Sequence, residues 1–99
     1  MTIAETRREG MVQLDVEGRV DTNTSPELQK KILQAFQKGS TVTLNLEAVD
    51  YVSSSGLRAL LIGQKTASSK GGSMKLINVR DSVRKLFDMT VFSQMLTIE

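Results

Sequence analysis

The stretch YVSSSGLRALL, residues 51–61, sets three hydroxyls, Ser53, Ser54 and Ser55, between an apolar, strand-like run and a leucine-rich, helix-like one. Hydroxyls at such a junction suit three kinds of chemistry. They cap the first turn of a helix, attack a substrate as nucleophile, or accept a phosphate from another enzyme. A nucleophilic serine needs a base, and the chain contains no histidine. That removes the Ser-His-Asp triad, imidazole general bases and His-ligated metals together. The hydrolase elbow G-x-S-x-G is also incomplete, because Val52 stands where its first glycine would precede Ser54. Lys65, the nearest lysine downstream, falls on the far part of the following helix. The residues therefore argue against an enzyme. Capping requires only one serine, and "small polar" describes the other two. An anion is favoured at a helix start by free amides and the positive dipole end, so a phosphoserine there is compatible with its own fold. Helical periodicity does not choose among the three hydroxyls.

Other polar clusters carry less. Asp21, Thr22 and Asn23 lie in a stretch that ends an alternating segment, where an aspartate commonly serves as a turn residue. Arg58 falls one turn after Ser54 and can meet a phosphate or a partner carboxylate, or simply be solvated. KGGSMK lacks the G-x-x-x-x-G-K-[ST] spacing of a phosphate loop and reads as a helix stop and turn. No cofactor or metal site is expected. With no cysteine, thiolate ligands and disulfides are excluded.

Elements that position these residues follow from periodicity. Val12, Leu14 and Val16 alternate with polar residues, as on a half-buried strand. Glu9-Gly10 makes residues 2–8 the other arm of a hairpin. Ser25-Pro26-Glu27 reads as a helix start with Ser25 as cap, followed by Leu28, Ile32, Ala35 and Phe36 at helical spacing. TVTLNL, residues 41–46, is a second alternating strand. A helix over about 54–70 places Leu57, Leu60, Leu61 and Gln64 on one face and stops at Gly71-Gly72. SMKLINV is a strand, Asp81 caps a short helix carrying Val83, Leu86 and Phe87, and residues 95–98 suit a last strand. Met89, Phe92 and Met95 are expected to pack under the sheet, exposed methionines being the alternative. The order β-β-α-β-α-β-α-β predicts one α/β domain over 1–99. Its sheet has four to five strands, parallel except for the opening hairpin. Binding sites in such sheets gather beyond the carboxyl ends of strands. Two loops qualify, 18–24 and 47–55.

Composition is that of a globular domain: 99 residues, 39% hydrophobic, 24% charged and a net charge of +2. The apolar run Ala59–Ile62 is far too short to span a membrane, and residues 1–10 carry no secretory pattern. A cytoplasmic monomer is expected. The small net charge and four aromatics, Phe36, Tyr51, Phe87 and Phe92, argue against direct nucleic-acid binding.

With these residues in view, the chain resembles the STAS domain of bacterial anti-sigma factor antagonists along its full length. LDVEGRVDTNTSPELQKKI, residues 14–32, is similar to one signature segment of that family. TVTLNLEAVDYVSSSGLRALL, residues 41–61, is similar to its strand followed by a serine-glycine-leucine helix start. The resemblance implies that Ser54 is the phosphoacceptor of a serine kinase that doubles as anti-sigma factor. The dephosphorylated form would bind that kinase and release the sigma factor, and a serine phosphatase would reset the switch. Asp21 matches the family aspartate near the acceptor. Thr22, Asn23, Ser53, Ser55, Gly56, Leu57 and Arg58 would complete the docking surface, with Gly56 admitting a partner backbone and Leu57 a partly exposed apolar anchor. Two departures stand out: Ser53 and Asn45 replace aspartates of many members. Their loss would remove negative charge beside the acceptor and tune phosphorylation rate or kinase choice. A STAS module scaffolding another partner-switching pathway, in secretion or stress signalling, is the alternative, and a small hydrolase is the distant third.

Overall fold

Period-two alternation builds the sheet. In the computed structural model, which describes residues 1–99, β1 (Thr2–Arg8) and β2 (Met11–Val20) form an antiparallel hairpin. Its turn is made by Gly10 at φ +74°, a conformation that side chains resist. β3 (Thr41–Val52) runs parallel to β2, and β4 (Ser73–Ile77) parallel to β3, giving the order β1-β2-β3-β4. Val12, Leu14 and Val16, with Val42, Leu44, Leu46, Met74 and Leu76, supply the apolar face of that sheet.

Three helices cover this face. α1 (Ser25–Lys38) joins β2 to β3, α2 (Ser54–Ser69) joins β3 to β4, and α3 (Asp81–Asp88) follows β4. Leu28, Ile32, Ala35 and Phe36 of α1, Leu57, Leu60 and Ala67 of α2, and Val83 and Phe87 of α3 belong to one buried cluster with the strand residues. The other face of the sheet carries a polar ladder. Asp15 Oδ1 accepts from Gln13 Nε2 at 2.9 Å and from Asn45 Nδ2 at 3.0 Å, and Asn45 Oδ1 accepts from Asn78 Nδ2 at 3.1 Å. No helix is long and apolar enough to cross a membrane.

The expected order holds as far as α3, and four corrections follow. The last strand does not form: Val91–Met95 is a 3-10 helix, and beyond it Ile98 alone bridges Leu76. β3 extends to Val52, so residues 47–52 are strand rather than loop. Register shifts opposite Asp15–Glu17 and Gly18–Arg19 break the alternation that would have announced it. Ser25 is a buried first-turn residue, with Thr24 at the cap position, and Asp81 lies inside α3 while Arg80 precedes it. Finally, Met89, Phe92 and Met95 do not pack under the sheet but are 81%, 51% and 63% exposed.

Candidate partner-docking site

The carboxyl ends of β2 and β3 lie side by side, Arg19 paired with Tyr51 and Val20 with Val52. The Ser53 N–H donates to the Val20 carbonyl at 2.8 Å, so the start of α2 is bonded to the strand that leads into the 21–24 turn. Ser53 is the cap: its Oγ accepts from the Gly56 N–H at 3.2 Å and its carbonyl from the Leu57 N–H at 2.9 Å. Ser54, the first residue of α2, is exposed, while Ser53 and Ser55 are half-buried. Burial sets Ser54 apart and contacts separate the other two: the Ser53 hydroxyl oxygen is used by the helix, Ser55 flanks α1, and Ser54 is exposed at a helix start whose first amides have no intrahelical partner.

The 21–24 turn is built by its own side chains. Asp21 Oδ1 accepts from the Asn23 N–H at 2.9 Å and the Thr24 N–H at 3.1 Å. Thr24 Oγ1 accepts from the Asp21 N–H at 2.9 Å and donates to the Arg19 carbonyl at 2.9 Å. The Thr24 amide, then the Asn23 amide, the Thr24 hydroxyl and the Arg19 cation, hold the Asp21 carboxyl below its ordinary value of 3.8 against a smaller desolvation cost. Asp21 is an ionised acceptor locked to the loop, and its carbonyl also receives the Ser25 N–H at 2.8 Å.

Thr22 and Ser55 both line a groove of about 540 Å³ between α1 and α2, with Ser25, Pro26, Lys30 and Arg58 among its walls. Arg58 and Thr22 are exposed, as is Asn23. Two candidate contact residues lie inside instead. Leu57 is 7% exposed, so it is a core residue and not a partly exposed anchor. Gly56 is buried, and a Cβ there would fall 2.7 Å from Val20 Cγ1, 2.8 Å from Val52 Cγ1 and 3.0 Å from the Val20 carbonyl oxygen. The close approach that glycine permits is therefore to the chain's own strands. Asn45 is also displaced from its expected place. It lies seven residues before Val52, roughly 23 Å along an extended strand, on the polar ladder and not beside the serines.

Two rim residues escaped the reading of the sequence. The Arg19 guanidinium carbon lies 4.5 Å from the centroid of the Tyr51 ring, and Arg19 Nε lies 3.9 Å from Asp21 Oδ2. Only the parallel register of β2 and β3 brings them together, and register is not visible in either segment alone.

Comparison with known proteins gives the family. The family model described as "STAS domain" matches residues 2–99. The anti-sigma-B factor antagonist of Bacillus subtilis is 28% identical over 92 residues, covering 93% of this chain and 84% of that protein. The anti-sigma factor antagonist SpoIIAA in its unphosphorylated form superposes with a TM-score of 0.75 at 21% identity, over 99% of this chain and 87% of that one. The Bacillus cell fate determinant SpoIIAA in the phosphorylated form gives 0.74 at 21% identity, over 99% and 91%. At these identities the superpositions speak for the fold, and the family match spans nearly every residue. The chain belongs to the STAS domain family.

Proposed function

We propose that this protein is an anti-sigma factor antagonist working as a phosphorylation-controlled partner switch. The observation that carries the reading is the exposed Ser54 hydroxyl at the first position of α2, bonded through Ser53 and Val20 to the Asp21 turn. Unmodified, the surface formed by Asp21, Thr22, Asn23, Ser53, Ser54, Ser55 and Arg58 docks a serine kinase that is also the anti-sigma factor, and the sigma factor is freed. Gly56 and Leu57 support that surface from beneath. Phosphate on Ser54 adds nearly two negative charges and three acceptor oxygens where the partner must pack closely, so docking weakens by repulsion and desolvation. A serine phosphatase restores it. The chemistry belongs to the kinase and phosphatase; this chain, acting as a cytoplasmic monomer, supplies the acceptor and the surface. The B. subtilis relative and the two SpoIIAA forms support the reading by their stated roles and states.

The test pairs affinity with site mapping. Titration of the kinase partner should give tight binding for Ser54→Ala and binding weaker by roughly tenfold or more, about 1.4 kcal/mol, for Ser54→Asp. Equal affinities would sink the switch. Incubation with ATP and the partner kinase, followed by mass spectrometry, should place phosphate on Ser54, and phosphate on Ser53 or Ser55 would move the acceptor.

A further inference from the structure

Five large hydrophobic residues are exposed, and four of them, Met89, Val91, Phe92 and Met95, fall within seven consecutive residues. Isolated exposed hydrophobics are ordinary, and of these four Met95 is the one that walls a groove shared with α2. The 3-10 helix brings Met95 against the outer side of α2, where a groove of about 570 Å³ is walled by Arg58, Leu61, Ile62, Lys65 and Met95. Arg58, Leu61, Ile62 and Lys65 are spaced i, i+3, i+4, i+7, one continuous stripe of the helix. An apolar pair thus sits between two cations, roughly 10 Å apart by helical rise.

The groove is held open by the chain itself. Gln64 Nε2 donates to the Met74 carbonyl at 3.3 Å, and Gln64 Oε1 accepts from the Thr97 N–H at 3.2 Å. Leu76 and Thr97 are joined at 2.8 Å, and Leu96 is buried next to Met95. The wall bearing Met95 is therefore preformed. Its charge is one-sided. α2 contains no Asp or Glu, no carboxylate lines the groove, and neither Arg58 nor Lys65 has a carboxylate within 4.0 Å.

We infer that this groove is a second docking surface, whose occupant is an acidic amphipathic helix of a protein partner. An apolar stripe of that helix would fill the space over Leu61, Ile62 and Met95, with methionine adapting to its shape. Carboxylates two turns apart would meet Arg58 and Lys65. Arg58 also walls the α1–α2 groove, so one side chain links this surface to the one around Ser54. The inference goes beyond the phosphoacceptor reading and does not require Ser54 to be modified.

The probe is a synthetic helical peptide about five turns long, with a leucine stripe flanked by glutamates, titrated into the isotope-labelled full chain. A counterpart with lysines in place of the glutamates, vesicles rich in phosphatidylglycerol, and the protein alone over a concentration series complete the set. The acidic peptide should perturb the amides of Leu61, Ile62, Lys65 and Met95, and bind roughly tenfold more tightly than the lysine peptide. That affinity should fall by a similar factor in the exposed-site variant Lys65→Glu/Met95→Asp and by much less in Ser54→Asp, whose carboxylate reaches only the shared Arg58 one turn on. Unequal binding confined to this groove in both Ser54 forms stands whether or not the phosphorylation switch does. Equal binding of the two peptides, perturbation elsewhere, binding to vesicles but not to peptide, or a dimer burying the same residues would overturn the inference.

Discussion

Asp21 concentrates several duties in one carboxylate. Its oxygen accepts two amides that the turn would otherwise leave to water, and its charge faces the Arg19 cation 3.9 Å away. The Thr24 amide and these other partners stabilise the ionised form, so its pKa is lower folded than unfolded. The sign follows: its stabilisation is complete above the unfolded value, near the ordinary 3.8, and is lost as pH falls through the lower folded value. Asp21→Asn keeps an oxygen acceptor and removes the charge. Denaturant unfolding of both proteins between about pH 5 and pH 2 should show the parent's stability advantage shrinking below pH 3.8. A gap that stays constant through that range would mean the ionised carboxyl contributes nothing special. The same residue shows what was readable beforehand. That Asp21 belongs to a turn was legible from its place after an alternating strand. That it displaces Ser25 from the cap position was not, because Thr24 and Asp21 satisfy each other first.

At the level of elements, the junction of β3 and α2 depends on close packing of a helix start over strand ends. Gly56 makes this possible, and Gly56→Ala tests it. Alanine improves helix propensity by about 1 kcal/mol, but its methyl would meet two valine methyls and a backbone oxygen at 2.7 to 3.0 Å. Overpacking of this kind costs about 1–3 kcal/mol, and the backbone oxygen has little room to yield. We expect net destabilisation in denaturant melts, with the midpoint lowered and the slope unchanged. An equal or higher midpoint would show that the helix start has slack. Periodicity made α1, α2 and the hairpin legible, since each presents a regular apolar face. It failed where that regularity stops. Glu47–Tyr51 is strand because register shifts let Val49 and Val52 both point inward, a pattern that looks like loop. Leu57 looked available to a partner because it follows glycine, yet that glycine is what lets the helix sink and bury it. Residues 89–95 have apolar side chains without a repeat, so nothing in their order told exposure from burial.

Across the whole molecule, the charges are sorted by layer. α1 and α2 together carry Lys30, Lys31, Lys38, Arg58 and Lys65 against Glu27 alone, a net +4 in a chain of net +2. The remainder is therefore −2, with Asp15, Asp21 and Glu47 on or beyond the sheet. The layer that presents Ser54 is thus the one best able to bear added negative charge. A phosphate there meets the free amides and positive dipole end of α2, worth about 0.3–1 kcal/mol at an exposed site. The proposed switch should then act at the surface and leave the scaffold intact. For a domain of this size that energy corresponds to a rise in melting temperature of roughly 1–8 °C. Calorimetry of stoichiometrically phosphorylated protein against the unmodified form, each also titrated with the kinase partner, reads both quantities on one sample. Affinity should fall while the melting temperature holds or rises. If affinity and melting temperature fall together, phosphate acts by loosening the start of α2, and the switch is conformational, not a matter of surface charge.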